Sequence, residues 1–302
     1  MKFKQFKILF GLSYLFSFVN SFNLIHKSGH SYYCPTKFAL NASRRDLFQA
    51  TGASVAALIA TTGIDPANAF ESTEKVLVLG GTGFVGSQVC KKLKLMGIDY
   101  TSTSRDGRDG TIAVDFCSDE NVSDKIAELS KGYTAVISTV GTIGTESDLS
   151  VNKGSGLAAI GAKKSGVKRF VYISVAPEVR ESASGLSFLK DYMDGKQFSE
   201  ETIKNSNFDS YTIIAPTFIY GGDKFAISPP RVAEGYGSLV ESVLSSGLFR
   251  YAASISPGIV GIALEPPVNV ATVADAAIAA SLGLTDSVLD TYDEIKSASK
   301  LI

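Results

Sequence analysis

The segment Lys75-Val-Leu-Val-Leu-Gly80-Gly-Thr-Gly83-Phe-Val-Gly86 decides the fold of this chain. A short apolar run leads into a glycine turn with the spacing G-x-x-G-x-x-G, and a helix-like segment follows it. Gly80 allows a sharp turn, Gly83 lets backbone amides approach a pyrophosphate, and Gly86 lets the helix pack closely on the strand, so that its N-terminus faces the anion. The pattern predicts a dinucleotide-binding turn, with a glycine-rich turn in another doubly wound protein as the alternative. The residues expected to bind the cofactor are Gly80, Gly81, Thr82, Gly83, Phe84, Val85 and Gly86.

Strand-like and helix-like segments alternate through the rest of the chain. We expect strands at 100–104, 111–114, 133–138, 169–174 and 210–215, and helices at 84–96, 119–129, 151–165, 189–205 and 275–282. This alternation with short loops predicts an α/β protein with a doubly wound parallel sheet, the Rossmann architecture. Residues 217–270 are less regular and rich in proline, with one helix expected near 238–246. They predict a small, irregular C-terminal lobe over the strand ends, where such folds build a substrate pocket.

The first 69 residues have the features of a targeting presequence. A basic start followed by an apolar stretch at 8–19 is typical of a signal peptide. Further on, Arg44-Arg45 precedes a mildly apolar run that ends at Ala67-Asn68-Ala69, which resembles a twin-arginine export signal. The serial arrangement resembles the targeting of thylakoid-lumen proteins in algae with complex plastids, so we expect residues 70–302 to form a single domain in the plastid, in the thylakoid lumen. The alternatives are a single signal peptide with a disordered linker, the stroma, or another secretory-derived compartment.

The distribution of charged residues supports this division. Residues 1–69 carry seven basic and two acidic residues, which leaves 22 basic and 28 acidic residues in the remainder. Such a body has no electrostatic reason to seek nucleic acid or anionic lipid, and the mature chain contains no run of eighteen apolar residues that predicts a membrane span. Both histidines, His26 and His30, lie in the presequence, which excludes a His nucleophile partner, a His-ligated metal and a His base. Cys90 is expected to be a buried helix residue, and a disulfide with Cys117 remains open.

The segment Tyr192-Met-Asp-Gly-Lys196 carries the clearest chemistry. Its two end residues are one helical turn apart, so the ammonium and the phenol lie on one face. A tyrosine with its ordinary pKa near about 10 is a poor acid–base group at neutral pH, but a neighbouring Lys cation favours the phenolate and can also hold a ribose hydroxyl. The helix follows the fifth strand, where a nicotinamide would lie. We therefore expect Tyr192 to be the general acid and Lys196 to lower its pKa and bind the cofactor, with a solvated Tyr/Lys helix face as the alternative.

Three further residues lie at the ends of expected strands. Ser174 ends the fifth strand, where ligands bind in open parallel sheets, and is a candidate donor to a substrate carbonyl; the alternative is a bond to the backbone. Arg105 follows the second strand with no acid before it, and an Arg there accommodates a 2′-phosphate, so NADP is favoured over NAD. Arg105 is otherwise a solvated surface charge beside Asp106 and Arg108. Asp115 ends the third strand and is included among the cofactor-binding residues.

Together these residues resemble the short-chain dehydrogenase/reductase superfamily in its atypical extended branch. The glycine segment 80–86 matches the glycine motif of that branch, and Tyr192-x-x-x-Lys196 matches its active-site pair. Other similar segments are Val151-Asn152-Lys-Gly154, Phe170-Val-Tyr-Ile-Ser174, Pro216-Thr-Phe-Ile-Tyr220 and Pro266-Pro267-Val-Asn-Val270, so that the resemblance covers residues 74–285. Two positions depart from the pattern: Ala215 stands where many relatives have Arg, and Val175 where a catalytic Ser often lies.

Within that branch, the chain is similar to the Rossmann accessory subunit of respiratory complex I, to the mitochondrial reductase-like proteins of ubiquinone synthesis, and to their plastid relatives. The resemblance implies redox chemistry on a carbonyl-bearing metabolite or a prenyl lipid such as a quinone, with NADP or, secondarily, NAD as cofactor. The alternative is a non-catalytic NADP(H)-binding module that stabilises or regulates a membrane-associated complex. A nucleotide-sugar isomerase or epimerase would need a larger and more polar C-terminal lobe.

Overall fold

The centre of the protein is a seven-stranded parallel sheet. The structure, a computed structural model, describes residues 74–118, 121–183, 187–222, 226–227, 230–231, 234–245, 265–285 and 287–302, and the expected presequence lies outside them. From one edge to the other, the sheet consists of β3 (Ile112–Ala113), β2 (Asp99–Ser104), β1 (Lys75–Leu79), β4 (Ala135–Ser138), β5 (Arg169–Ile173), β6 (Ser210–Ile214) and β11 (Val288–Leu289). All neighbouring strands are parallel. The strand order reverses between β1 and β4, which confirms the expected doubly wound fold.

Helices cover both faces of this sheet. They are α1 (Phe84–Leu95), α2 (Val122–Leu129), α3 (Asp148–Lys164), α4 (Pro177–Ala183), α5 (Lys190–Asn205), α6 (Glu234–Leu244), α7 (Val270–Ser281) and α8 (Tyr292–Ala298). One buried cluster contains side chains of α1, α7 and α8, and a second contains side chains of α2, α3 and α5. Within the described part of the chain, none of the helices combines the length and the hydrophobicity needed to cross a bilayer.

Strand β1 shows why the sequence before the glycine turn is continuously apolar. Val76 and Val78 belong to the first buried cluster, whereas Leu77 and Leu79 belong to the second, and all four side chains are fully buried. Successive side chains of a strand point to opposite faces, so a strand covered by helices on both faces needs an apolar residue at every position.

The C-terminal lobe is built from short elements. β7 (Ile219–Tyr220) pairs in parallel with β10 (Val268–Asn269), and β8 (Ala226–Ile227) pairs in the antiparallel direction with β9 (Pro230–Arg231). Glu241 of α6 accepts hydrogen bonds from the hydroxyls of Tyr220 and Tyr292, the latter at 2.6 Å, and lies 3.4 Å from the Lys296 ammonium. This polar network connects α6 to β7 and to α8.

The helices α3 and α7 both begin earlier than expected, α3 where a side chain binds the preceding loop and α7 where a side chain caps the helix. α3 starts at Asp148 rather than at 151, and the Asp148 carboxylate accepts hydrogen bonds from the backbone amides of Gly144 and Thr145. α7 starts at Val270 rather than at 275, because the Asn269 side chain caps it by accepting from the Ala271 amide at 2.8 Å. The helices α4 and α8 and the sheet strand β11 were not expected from the sequence, nor were the short strands of the C-terminal lobe. The capping box Thr-x-x-Glu with which α8 begins is nevertheless visible there.

The two cysteines of the described body, Cys90 and Cys117, are free thiols, so the disulfide that the sequence left open is not formed in this structure. Cys90 is half-buried rather than buried, and burial raises the pKa of its thiol. Cys117 is exposed, and hydrogen bonds from Ser147 and Ser150 lower the pKa of its thiol.

Candidate functional site

The glycine turn joins β1 to α1 at the carboxyl edge of the sheet. Gly80 has φ +83°, a backbone conformation that favours glycine. The Gly83 amide donates to the Gly80 carbonyl at 2.9 Å, and the Gly81 amide donates to the Thr103 carbonyl of β2 at 2.8 Å. These bonds close a tight loop against the end of β2.

The turn has no room for side chains at its glycines. A Cβ at Gly86 would overlap the Gly80 carbonyl oxygen and lie 2.7 Å from the Thr139 hydroxyl, and one at Gly81 would lie 2.5 Å from the Ser102 Cβ. Gly83 is the N-cap of α1 and makes no side-chain cap, and the first turn of α1 contains no acid. The N-terminus of a helix favours anions, so residues 80–86 fit a dinucleotide pyrophosphate.

Two arginines follow β2, and they lie differently with respect to the turn. The Arg108 guanidinium donates to the Thr82 hydroxyl at 3.4 Å, which places this cation against the glycine turn. Arg105 is exposed and lies close enough to Asp115 to help lower the pKa of its carboxyl, although the main cause is a hydrogen bond from the Cys117 amide at 2.9 Å. From the sequence, Arg108 was considered only as a neighbour of Arg105. Its presence as a second cation in the turn segment after β2 could have identified Arg108 as a candidate cofactor-binding residue.

Lys196 is anchored at the carboxyl end of β5. Its ammonium donates to the Ile173 carbonyl at 2.9 Å and lies 4.8 Å from the centre of the Tyr172 ring and 5.8 Å from that of Tyr192. The side chain is 5% exposed, and burial lowers the pKa of Lys196 to about 7, with Glu200 opposing that shift. The pKa of Lys196 is therefore brought much closer to neutrality than that of an exposed lysine.

Tyr192 lies one turn before Lys196 on the same face of α5. Its half-buried ring packs with a small apolar cluster formed by Val175, Val179, Leu189 and Met193. Burial raises the pKa of Tyr192, and the Asp148 carboxylate raises it further, whereas the Arg180 guanidinium opposes them. The pKa of Tyr192 is therefore shifted upwards, whereas the sequence predicted a downward shift. Desolvation outweighs the effect of the Arg180 cation. Tyr192 is thus protonated at neutral pH.

Ser174 is held by a carboxylate rather than by the backbone. Its hydroxyl donates to Glu200 Oε1 at 2.5 Å, and the residue is 6% exposed. The same carboxylate accepts from Arg180 Nη2 at 2.5 Å. A serine hydroxyl has one proton, so in this structure Ser174 has no proton left to donate to a substrate carbonyl.

The loop between β4 and α3 completes the surroundings of Lys196. Asn152 donates from its amide nitrogen to the carbonyls of Thr142 and Asp148, at 2.8 and 2.7 Å, but its buried Oδ1 has no hydrogen-bond partner among the described residues. A Cβ built on Gly141 would lie 3.1 Å from both Asn152 Oδ1 and Lys196 Nζ. Gly141 therefore lies close to both this acceptor and the Lys196 ammonium, and a side chain there would crowd them.

The close approach of α3 and α5 explains why Asn152 and Lys196 meet. A Cβ at Gly195 would lie 2.7 Å from the Asn152 Cβ, and one at Gly156 would lie 3.1 Å from the Ser199 Cα. Ser199 donates to the Asn152 carbonyl at 2.7 Å and accepts from the Gly156 amide at 2.9 Å. Glycines on both helices remove the side chains that would otherwise keep the two backbones apart.

Comparison with known proteins agrees with this geometry. Residues 80–236 match the model of a family described as NAD(P)H-binding. The uncharacterised chloroplastic protein At1g32220 of Arabidopsis thaliana is 31% identical over 244 residues, which are 75% of this chain and 78% of that protein. The solved structure of a candidate NAD-dependent epimerase/dehydratase from Bacillus halodurans is 17% identical and covers 76% of this chain and 100% of that one, with a TM-score of 0.50. The oxidoreductase ylbE of Lactococcus lactis is 29% identical and covers 50% of this chain and 72% of that one, with a TM-score of 0.41.

The likeness to the Bacillus halodurans structure concerns the fold, whereas the family model covers the glycine turn, the α3 loop and the whole of α5. The family model spans more than half of the chain. The chain therefore belongs to the NAD(P)H-binding family and has a Rossmann fold.

Proposed function

We propose that the mature chain is an NADP(H)-dependent oxidoreductase of the short-chain dehydrogenase/reductase type. The observation that carries this proposal is the position of Lys196, which is fixed to the Ile173 carbonyl with Tyr192 one helical turn away. Both residues lie at the edge of the sheet where the glycine turn offers an anion site. A fold of this kind binds its ligand at that edge, outside the carboxyl ends of the strands.

Each group has a defined role in this proposal. Residues 80–86 hold the pyrophosphate, Lys196 holds the nicotinamide ribose, and the bound nicotinamide supplies or accepts a hydride. The Tyr192 phenol carries its proton at neutral pH, as an ordinary tyrosine does, and would donate it to a carbonyl oxygen in the reductive direction. Burial raises its pKa further, which keeps the phenol protonated but makes it a weaker acid. Ser174 keeps a supporting role, since it can accept but not donate while it is bonded to Glu200.

The substrate that we propose is a carbonyl-bearing metabolite or prenyl lipid such as a quinone. The apolar cluster around Tyr192, which contains Val175 and Met193, supports a substrate with an apolar body. The similarity to the reductase-like proteins of ubiquinone synthesis and to the complex I accessory subunit supports the same class.

A second candidate function is a non-catalytic NADP(H)-binding module of a membrane-associated complex. Two observations favour it: the Ser174 proton is bonded to Glu200, and the pKa of Tyr192 is raised away from neutrality. Neither observation affects the glycine turn, so this function would depend on nucleotide binding alone.

We also propose a plastid location, in the thylakoid lumen. The chloroplastic relative from Arabidopsis thaliana supports the plastid, and the twin-arginine-like segment of the presequence supports the lumen. We expect the mature protein from isolated plastids to start at Phe70, after cleavage at Ala67-Asn68-Ala69. N-terminal sequencing tests this, and a terminus between residues 22 and 45 would instead place the protein in the stroma.

Nucleotide preference tests the cofactor assignment directly. We expect the purified protein to bind NADPH more tightly than NADH, because Arg105 and Arg108 follow β2, and an arginine after that strand accommodates a 2′-phosphate. If an arginine contacts this phosphate, its replacement by alanine should weaken NADPH binding by about 10- to 100-fold. This is the effect of losing a charge-assisted hydrogen bond of about 1.5–3 kcal/mol. NADH has no 2′-phosphate, so its binding should be unchanged. Calorimetric titration with each nucleotide measures both affinities.

The contact between Arg108 and Thr82 predicts that Arg108→Ala has the larger effect of the two. Lys94→Ala is the matched control, because Lys94 is an exposed cation in the last turn of the same α1. Equal affinities of the wild type for NADPH and NADH would contradict the assignment of both arginines.

A further inference from the structure

Helix α5 presents a third functional group beside Tyr192 and Lys196. Glu200 follows Lys196 by one turn, so the three side chains lie in one row on the same face of the helix. Glu200 is 8% exposed, and buried carboxylates are rare unless they are paired. A buried acid next to the proposed reaction centre calls for an explanation.

Glu200 is fully engaged by groups from two other elements. Its Oε1 accepts from the Ser174 hydroxyl at the end of β5 and from Arg180 Nη2 of α4, both at 2.5 Å. Its Oε2 lies 3.4 Å from Arg180 Nη1 and 3.9 Å from the half-exposed Lys204 ammonium. The guanidinium therefore faces the carboxylate with both terminal nitrogens, the geometry in which Arg binds carboxylates most strongly.

These contacts fix α5 at two consecutive residues, Ile173 at the end of β5 and Ser174 directly after it. The Lys196 ammonium is bonded to the Ile173 carbonyl, and the Glu200 carboxylate is bonded to the adjacent Ser174 hydroxyl. Because these two hydrogen bonds start from residues one helical turn apart, they set the position of α5 along the direction of β5. Arg180 adds α4 to the same point, so three elements meet around Lys196.

We propose that Glu200 and Arg180 are positioning residues for the Tyr192–Lys196 pair. Glu200 fixes the pair against the end of β5 and holds the Arg180 guanidinium beside it, and the charges of the ion pair set how readily Lys196 gains or loses its proton. The proposal rests on the proposed function only in treating that pair as the reaction centre.

The titratable and charged groups that face Lys196 come from four elements. They are Tyr192 and Glu200 from α5, Arg180 from α4, Tyr172 from β5 and Asp148 from α3. Burial is the main cause of the lowered pKa of Lys196, the Glu200 carboxylate raises it and the Arg180 guanidinium lowers it. Arg180 also opposes the raised pKa of Tyr192. The two members of the ion pair therefore act on Lys196 in opposite directions, which a purely structural role would not produce.

An NMR titration of the Lys196 side chain in the full mature protein tests this without any substrate or nucleotide. Protein labelled at the lysine ε-carbon is titrated, and the Lys196 signal is assigned by its absence in Lys196→Arg. We expect Arg180→Met to raise the midpoint of Lys196, and Glu200→Gln to lower it, each by about 1 pH unit or more, as is typical of removing one nearby charge. Glu201→Gln, an exposed neighbour on α5, is the matched control and should leave the midpoint unchanged.

A purely structural role of the ion pair predicts different shifts of the Lys196 midpoint. If the ion pair only holds α5 in place, both variants hydrate Lys196, and both midpoints rise towards the ordinary lysine value of about 10.4. Equal shifts in one direction, or no shift in either variant, would overturn the proposal. Arg180→Lys and Glu200→Asp keep the charges, so the midpoint of Lys196 should stay at its wild-type value in both. If a charge-removing variant does not fold, the charge-keeping variant at the same position is measured instead, and a shifted midpoint there would overturn the proposal. Opposite shifts together with full activity of a Tyr192→Phe variant would retain this inference and reject the proposed catalysis.

Discussion

Replacing Tyr192 by phenylalanine is expected to lower turnover by about 10²- to 10⁴-fold, the usual contribution of a positioned general acid, and to leave NADPH binding unchanged. The substitution removes only the hydroxyl, and the ring can still pack with Val175 and Met193. The phenol carries its proton at neutral pH, as an ordinary tyrosine does, and the raised pKa of Tyr192 keeps it in that form. Complementation of a null strain measures this effect even before a substrate is known.

Two comparisons make this result specific. Tyr100→Phe is a matched control, since Tyr100 is also half-buried but lies near the start of β2, away from the carboxyl edge of the sheet. Lys196→Met should impair both turnover and nucleotide binding, because its ammonium is proposed to hold the ribose. Full complementation by Tyr192→Phe would reject catalysis and favour the non-catalytic module, which should still fail when the glycine turn is blocked.

The parts of the site that the sequence predicted are those whose chemistry is local. The glycine turn needs a sharp bend, a close approach and a helix start within seven residues, and each need selects glycine at a fixed position. Tyr192 and Lys196 were found for the same reason, because one helical turn of spacing places them on one face whatever surrounds them. The central strands β1, β4 and β5 were predicted because they are apolar at nearly every position, whereas the edge strand β11 was missed.

The parts that were missed depend on contacts between distant segments. The spacing of Glu200 places it on the same helix face as Lys196, but only the fold brings it to Ser174, 26 positions earlier in the chain. The pKa of Tyr192 was assigned the wrong direction for a related reason, since the neighbouring lysine is visible in the sequence but the desolvation of both side chains is not. Asp148 also escaped notice, because its bonds to the loop amides depend on where α3 starts.

A methyl group at Gly86 is expected to damage nucleotide binding more than any other single change in the turn. In Gly86→Ala the new Cβ would overlap the Gly80 carbonyl oxygen and lie 2.7 Å from the Thr139 hydroxyl. The Gly80 carbonyl belongs to the turn itself, so α1 must move away from it, and the amides that face the pyrophosphate move with the helix. We expect NADPH affinity to fall at least tenfold and stability to fall by about 1–3 kcal/mol, the usual cost of overpacking.

Gly235→Ala separates this clash from the general effect of alanine in a helix. Gly235 lies in α6 and is exposed, and among the described residues a methyl group there would meet open space, so alanine should stabilise the protein by up to about 1 kcal/mol through helix propensity. The same gain in helix propensity acts at Gly86. There the clash with the turn should outweigh it, so that alanine lowers the stability instead of raising it. Chemical denaturation and NADPH titration of both variants measure the two effects separately. If Gly86→Ala bound NADPH as tightly as the wild type, the close contact between α1 and the turn would not be needed for the cofactor, and the assignment of residues 80–86 as the pyrophosphate site would be wrong.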